Sequence, residues 1–409
     1  MLQKNYNNTT ANSTIKRIRF SVESLFVLSI AFCLLIAFIL PIRLQPINLS
    51  FFILFSTISI FYFLLKIEKV TLSRYDIYVL SPFFIFLAFE AFSQIRAASD
   101  VSIARIVTIS GMIIYCIVLL KAFDVENYKK KVKSGIYFGA MLLSIIMIVQ
   151  FFNPYGINSL YYELLGAERA LHYADNNVDR AIGFYGNPNE AGFVMGLAFI
   201  FMINNHLRKA SNILELTLTS LFFLAIVSSQ SRSVWIALTV SFGFYYFSKR
   251  LKPKRVLYFI LFIICVLSAF FVTDIYEKIY DRFVNMSSFK ARVFEVWSDA
   301  LSTVNNEWFL GLPADARLHS LDNELLNIWL KFGLIPLLTV IVWAVFIFSL
   351  SLSYKKINAF NRPLISLLVF LLIYAMAVDV NIFYYNAPIF IFFTMFIYEY
   401  KKLKSMSDD

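Results

Sequence analysis

Charge is what this 409-residue sequence has least of: Asp, Glu, Lys and Arg make up 15% of it, where a soluble domain carries about 25%. With 59% hydrophobic residues and a mean hydropathy of +0.70, that shortage excludes an ordinary soluble chain. Histidine and cysteine are scarce, three of each. There is no Cys-x-x-Cys pair and no His-Glu-x-x-His helix, which argues against zinc chemistry, and no Gly-x-x-x-x-Gly-Lys-Ser/Thr loop, which argues against energy coupling by nucleotide. No internal repeat is visible, so a transporter built from inverted halves gains no support. Cys33, Cys116 and Cys265 all fall inside apolar runs. They read as small buried residues and say little about redox compartment.

What the sequence has instead is a succession of apolar segments of about 20 residues, each long enough to cross a hydrocarbon core as a helix. The expected spans are roughly 20–41, 47–65, 76–95, 102–120, 134–152, 190–205, 212–228, 233–248, 256–273, 331–353, 363–380 and 382–399. The fold class is therefore an all-α integral membrane protein of about twelve transmembrane helices, one polytopic domain over residues 1–409. The first apolar run follows a polar stretch and has no small-residue cleavage motif behind it, so it is expected to be a span rather than a removed leader.

A net charge of +11 could point to nucleic acid, but here the placement of the charges argues for the lipid bilayer instead. Basic residues gather in alternate connections, which by the positive-inside rule predicts both termini to be cytoplasmic. Twelve basic residues fall on the opposite side or inside spans: Arg43, Arg96, Arg105, Arg169, Arg180, Arg232, Lys278, Arg282, Lys290, Arg292, Arg317 and Lys331. Nine of these are arginine, against seven of the other twenty-five. Lysine suffices as a topological charge, whereas arginine offers a planar fork for phosphate oxygens, so the outer arginines suggest an anionic phosphate ligand. Arginine also snorkels well near an interface, which accounts for part of the bias.

Two outer connections are long, about 153–189 and 274–322. Loops of that length with aromatics and paired charges point to function. In the second, "KARVFEVWSDALSTV" places Val293, Val296, Trp297, Ala300 and Leu301 on one stripe. That spacing predicts an amphipathic helix along the membrane surface. Trp297 and Trp308 fit as interface anchors or as sugar-stacking platforms, with anchoring the better account. In the first loop, Tyr161, Tyr162, Glu163, Glu168 and His172 are candidates for contact with a ligand.

Four short stretches could carry chemistry. "RAIGFYGNPNEAG" runs from Arg180 into a span. Its Asn187-Pro188-Asn189 turn, its close-approach glycines Gly183 and Gly186 and the following helix N-terminus would make a phosphate cradle, or else an ordinary capped turn. "SSQSRSVWIAL" sets Arg232 between two apolar runs. A charge at membrane depth costs about 2.5–3.5 kcal/mol on insertion scales, so Arg232 faces either a polar cavity or a short outer turn. Arg292 opens the expected surface helix, where a lone charge is commonly just solvated. In "RLHSLDNELLNIWLKFGL", either His319 or Asp322 could take a proton from a hydroxyl nucleophile. Asp322 or Asn323 would also cap the helix that follows.

These four stretches, in this order, resemble the superfamily of O-antigen polymerases and O-antigen ligases. "RAIGFYGNPNEAG" is similar to its Arg–Gly–Asn-Pro-Asn element and "SQSRS" to its Ser-Arg-Ser signature. "ARVFEVWSDALSTVNNEWFLGL" is similar to its Arg-x-x-x-x-Trp helix with a Gly-containing turn, and "HSLDNELLNIWLKFGLIPL" to its His/Asp-Asn pair with a glycine eleven residues on, here Asp322 and Gly333. The resemblance implies a GT-C glycosyltransferase fold of the second class, no cofactor and no metal. Its implied substrate is a glycan on undecaprenyl diphosphate, handled on the periplasmic face of the bacterial inner membrane. It implies that Arg180, Arg232 and Arg292, with Asn187 and Asn189, hold the diphosphate. A chain-length regulator protein is the implied partner. Ligases carry His-Asn where this sequence has Asp322-Asn323. That departure favours polymerase over ligase, with His319 still open as a ligase base. A lipid-oligosaccharide flippase would need its basic residues along a cavity open to both sides, and here they gather at one face.

Overall fold

The computed structural model describes residues 34, 35, 37, 38, 72–97, 103–123, 126–153, 156, 158, 180–183, 185, 187–206, 213–247, 296–303, 307–313, 323–353, 362–378 and 387–405. Among the described residues there is no strand. The helices are α1 (Arg74–Arg96), α2 (Ile103–Ala122), α3 (Glu126–Phe152), α4 (Pro188–His206), α5 (Ile213–Ser229), α6 (Arg232–Phe247), α7 (Trp297–Thr303), α8 (Glu324–Phe332), α9 (Leu334–Ser353), α10 (Arg362–Ala375) and α11 (Ala387–Ser405). Four of them are long and apolar enough to cross a membrane: Arg74–Arg96, Arg105–Ala122, Tyr128–Phe152 and Leu334–Ser351. Pro188–Ile203, Ile213–Ser229 and Pro363–Ala375 are shorter apolar helices. Helix is the state such segments must take, because each unpaired backbone group in hydrocarbon costs several kcal/mol.

Burial separates a core from a lipid-facing rim. Residues 191–203 of α4 and 387–401 of α11 are buried without a break, as expected of helices that are apolar all round. α4 packs against α3, α5, α6, α10 and α11. Gly196 lets the Phe370 ring of α10 sit directly on its backbone. Phe193 stacks on Tyr374 with ring centroids 4.5 Å apart. By contrast α9 exposes Ile335, Leu338, Ile341, Val342 and Val345, and α1 exposes Ile77, Phe84, Phe92 and Ile95. Those spacings of three, four, seven and eight keep one face of each helix outward.

The bundle has two ends. At the lysine-rich end, Lys404 Nζ of α11 lies 3.3 Å from Asp76 Oδ2, and Tyr400 Oη donates to Asp76 Oδ1 at 3.1 Å. At the other end the chain turns at 97, 180–183, 230–231 and 307–313.

The expected spans that fall on described residues are all helical, with four differences, the simplest being that the last helix runs on to Ser405 instead of ending near 399. The run 331–353 is not one helix: Gly333, at φ +91°, separates α8 from α9. The helix expected at 134–152 begins at Glu126, so Lys129, Lys130 and Lys131 ride on its first turns rather than in a loop. The helix expected at 363–380 ends at Ala375. The spans 47–65 and 256–273, and most of 20–41, lie outside the described residues, as do Cys33 and Cys265. Cys116 is buried.

Candidate active site

The site begins where two helices meet at a link only two residues long. α5 stops at Ser229 and α6 starts at Arg232, with Gln230 held at φ +49° between them. A non-glycine residue there carries about 1–2 kcal/mol of steric cost, so the surroundings must hold it. They do so through the carbonyls that a helix C-terminus leaves unpaired. Ser228 O accepts from Ala181 N at 3.0 Å. Ser229 O accepts from Arg180 Nε at 2.9 Å and Gln230 O from Arg180 Nη2 at 3.4 Å. Arg180 is thus a cation at the negative end of α5, where charge and dipole agree.

The same guanidinium ties in the start of α4. Arg180 Nη2 donates to Asn189 Oδ1 at 3.1 Å, and Ser231 Oγ donates to that same oxygen at 2.9 Å. Asn187 caps the helix, its Oδ1 accepting from Asn189 N at 2.9 Å. Pro188 is the first helical residue, where its missing N–H costs nothing. The first two sequence stretches are therefore one object, in which Arg180, Asn187 and Asn189 meet Ser231. The N-termini of α4 and α6 are joined through the Asn189–Ser231 hydrogen bond and present two positive helix ends together.

Two supports were not anticipated by sequence reasoning. Gln150, buried near the end of α3, accepts from Ile182 N at 3.2 Å and Gly183 N at 2.9 Å and donates from Nε2 to Gly183 O at 3.3 Å. A polar residue inside "IIMIVQFF" was the available signal. Tyr185 is buried and donates to Ala37 O at 2.6 Å. Burial, and then the Glu190 carboxylate, push its phenol well above the usual tyrosine range, so it remains a donor. Gly183, at φ +54°, is a true close approach, since a Cβ there would lie 2.6 Å from Leu143 Cδ1.

Arg232 is half-buried at the first position of α6, whose first turn holds no acidic residue. A cation at a helix N-terminus is disfavoured by about 0.3–1 kcal/mol. The position is one where an anion would be welcome.

Not every outer arginine belongs to this object. Arg96 pairs with Glu307 at 2.5 Å and donates to Gly311 O at 2.9 Å. Arg292, His319 and Asp322 lie outside the described residues, as does Gly186. The expected surface helix is described from Val296 onward: Ala300 is buried against Leu330 and Leu326, while Val296 and Leu301 are exposed. Of the two capping candidates, Asn323 is the described one, and its Oδ1 accepts from Leu326 N at 3.0 Å at the start of α8.

No curated protein matches this chain. Residues 217–318 match the O-antigen ligase family model. The matched stretch takes in most of α5, all of α6 and both Arg232 and Arg292, and stops short of His319 and Asp322. Over about a quarter of its length, therefore, the protein is similar to the O-antigen ligase family.

Proposed function

We propose that this protein is a membrane glycosyltransferase that joins oligosaccharide repeat units carried on undecaprenyl diphosphate, a polymerase of O-antigen or a related surface polysaccharide. The observation that carries this reading is Arg232 at the positive end of α6, hydrogen-bonded through its neighbour Ser231 to the N-terminus of α4. Two helix ends and a guanidinium suit a diphosphate better than any neutral sugar. In this reading the full chain has about twelve spans in a GT-C arrangement of the second class, in the bacterial inner membrane. The termini are cytoplasmic and the site is periplasmic.

In the reaction, a hydroxyl on the non-reducing sugar of an incoming lipid-linked unit attacks the anomeric carbon of the growing chain. Asp322, or His319 in its place, takes the hydroxyl proton. The new glycosidic bond forms as the bond to the lipid diphosphate breaks, and the electron pair leaves on the diphosphate oxygen. One displacement inverts that carbon, by analogy with single-step glycoside chemistry. Arg232 and Arg292 offset the charge growing on the leaving oxygen. Arg180, Asn187 and Asn189 shape the cradle and give it donors. No metal or cofactor enters this scheme, and a chain-length regulator is its protein partner.

A ligase is the second reading, favoured by the description of the matched family and by His319. The lipopolysaccharide ladder of the parent organism, with this gene deleted and restored, separates the two. Lipid A–core bearing a single repeat unit after deletion means that extension is lost and the protein is the polymerase. Loss of every O-antigen band, with polymer accumulating on its lipid carrier, means the ligase. A flippase is tested by the purified protein, which would then leave lipid-linked units unlengthened.

A further inference from the structure

Beside the outer end of α1 lies a turn, residues 307–312, whose side chains and backbone point to different surroundings. Trp308, Phe309 and Leu310 are 49%, 46% and 37% exposed, three large apolar residues in a row. Their backbone, by contrast, is satisfied atom by atom. Glu307 O accepts from Gly311 N at 2.8 Å, and Phe309 O from Leu334 N at 3.1 Å. Trp308 O accepts from Trp329 Nε1 at 2.9 Å. Leu310 O and Gly311 O accept from Arg96 Nη1 at 3.4 and 2.9 Å, and Leu312 O from Ser93 Oγ at 3.2 Å. Six successive carbonyls of an irregular segment each have a protein donor.

In water such completeness is unnecessary, because solvent serves exposed carbonyls. At membrane depth it is required, since irregular backbone is tolerated there only where its polar groups are paired. The depth follows from α1. Ser93 and Arg96 sit on the last turn of that membrane-length helix, and three residues of helix rise about 4.5 Å. The turn therefore runs alongside Phe92 and Ile95, which are 41% and 79% exposed on the lipid-facing side of α1. Gly311 and Gly333 press backbone to backbone, so the turn is also locked to the α8–α9 break.

We propose that Trp308, Phe309 and Leu310 form a foot that rests in the boundary between headgroups and acyl chains of the outer leaflet, continuing the lipid-facing surface of α1. Its occupant is bilayer lipid. An indole at that level is a favoured interfacial anchor. The foot holds the second outer loop at a set height above the bilayer, independently of which transfer reaction the protein performs.

The test uses full-length protein in vesicles of phosphatidylglycerol and phosphatidylcholine, the latter brominated high on its acyl chains. The difference between wild type and Trp308→Phe isolates the Trp308 emission. That emission is expected to be blue-shifted, quenched by the brominated lipid and little affected by aqueous iodide. Phe309→Trp in the Trp308→Phe background is a second reporter should the first difference be small, with the same result expected. Emission quenched by iodide and untouched by brominated lipid overturns the proposal, because the turn then stands in water. Emission reached by neither quencher also overturns it, because protein rather than lipid then covers the turn.

Discussion

The N-termini of α1 and α6 face opposite ends of the bundle and are finished in opposite ways. α1 begins with a complete capping box: Ser73 accepts from Asp76 N, and the Asp76 carboxylate accepts from Ser73 N. That buried carboxylate also draws Lys404 and Tyr400 from α11. The positive end of α1 is closed by the protein's own negative charge. α6 has no acidic residue in its first turn. Its preceding serine turns its hydroxyl to Asn189, and an arginine stands where a carboxylate would be stabilising. The first arrangement is what stability alone selects. The second collects positive character at one place, as sites that bind anions do.

The largest effect expected from breaking this contrast is on transfer. Arg232→Ala should lower chain extension on lipid-linked repeat units by about 100-fold or more in protein that still folds. Full extension at normal expression by both Arg232→Ala and Arg292→Ala would sink the phosphate-clamp account. Loss of activity together with loss of folding would make Arg232 a structural residue like Asp76.

Next in size is the joint at the α8–α9 break. Gly311→Ala or Gly333→Ala puts a methyl against facing backbone at φ +72° or +91°. Either should cost about 2–4 kcal/mol, read as a lower midpoint of thermal unfolding. An unchanged midpoint would mean that the contact relaxes freely.

Arg180→Lys sharpens the comparison from the other side. An ammonium keeps the charge but cannot bridge Ser229 O, Gln230 O and Asn189 Oδ1 at once. Stability should fall by about 1–2 kcal/mol. If unfolding is unaltered and only substrate affinity drops, Arg180 is a ligand contact first and a strut second. The smallest effect is expected at α1. Asp76→Asn weakens the cap and removes the charge facing Lys404, which should cost about 0.5–1 kcal/mol and leave the rate of transfer as it was. A changed rate would tie the lysine-rich end to the reaction.

Much of the fold could be read from the chain because lipid leaves a segment few choices. An apolar run of about 20 residues without charge has to be a helix, and the described spans are helical, with bounds that shift by up to eight residues and one break at Gly333. Gly183 marked a close approach, because positive φ suits little else, whereas the break at Gly333 was missed inside the expected run 331–353. What could not be read were partnerships between distant residues. Gln150 holds a loop more than thirty residues away, and Arg96 holds one more than two hundred away. Neither spacing carries a periodic signal, and both side chains look in sequence like isolated polar residues near a span end.

The sequence by itself determined that this is a helical membrane protein, which of its segments are candidates to cross, and that arginine is concentrated away from the lysine-rich side. Composition and periodicity suffice for this, since the bilayer as solvent acts on each segment separately. Only the tertiary structure decided what each arginine does. Arg180 ends α5, Arg96 fastens an apolar turn to α1, and Arg232 starts a helix beside the N-terminus of another. A guanidinium has the same charge in all three places, and only the acceptors and helix ends folded around it distinguish a strut from a site.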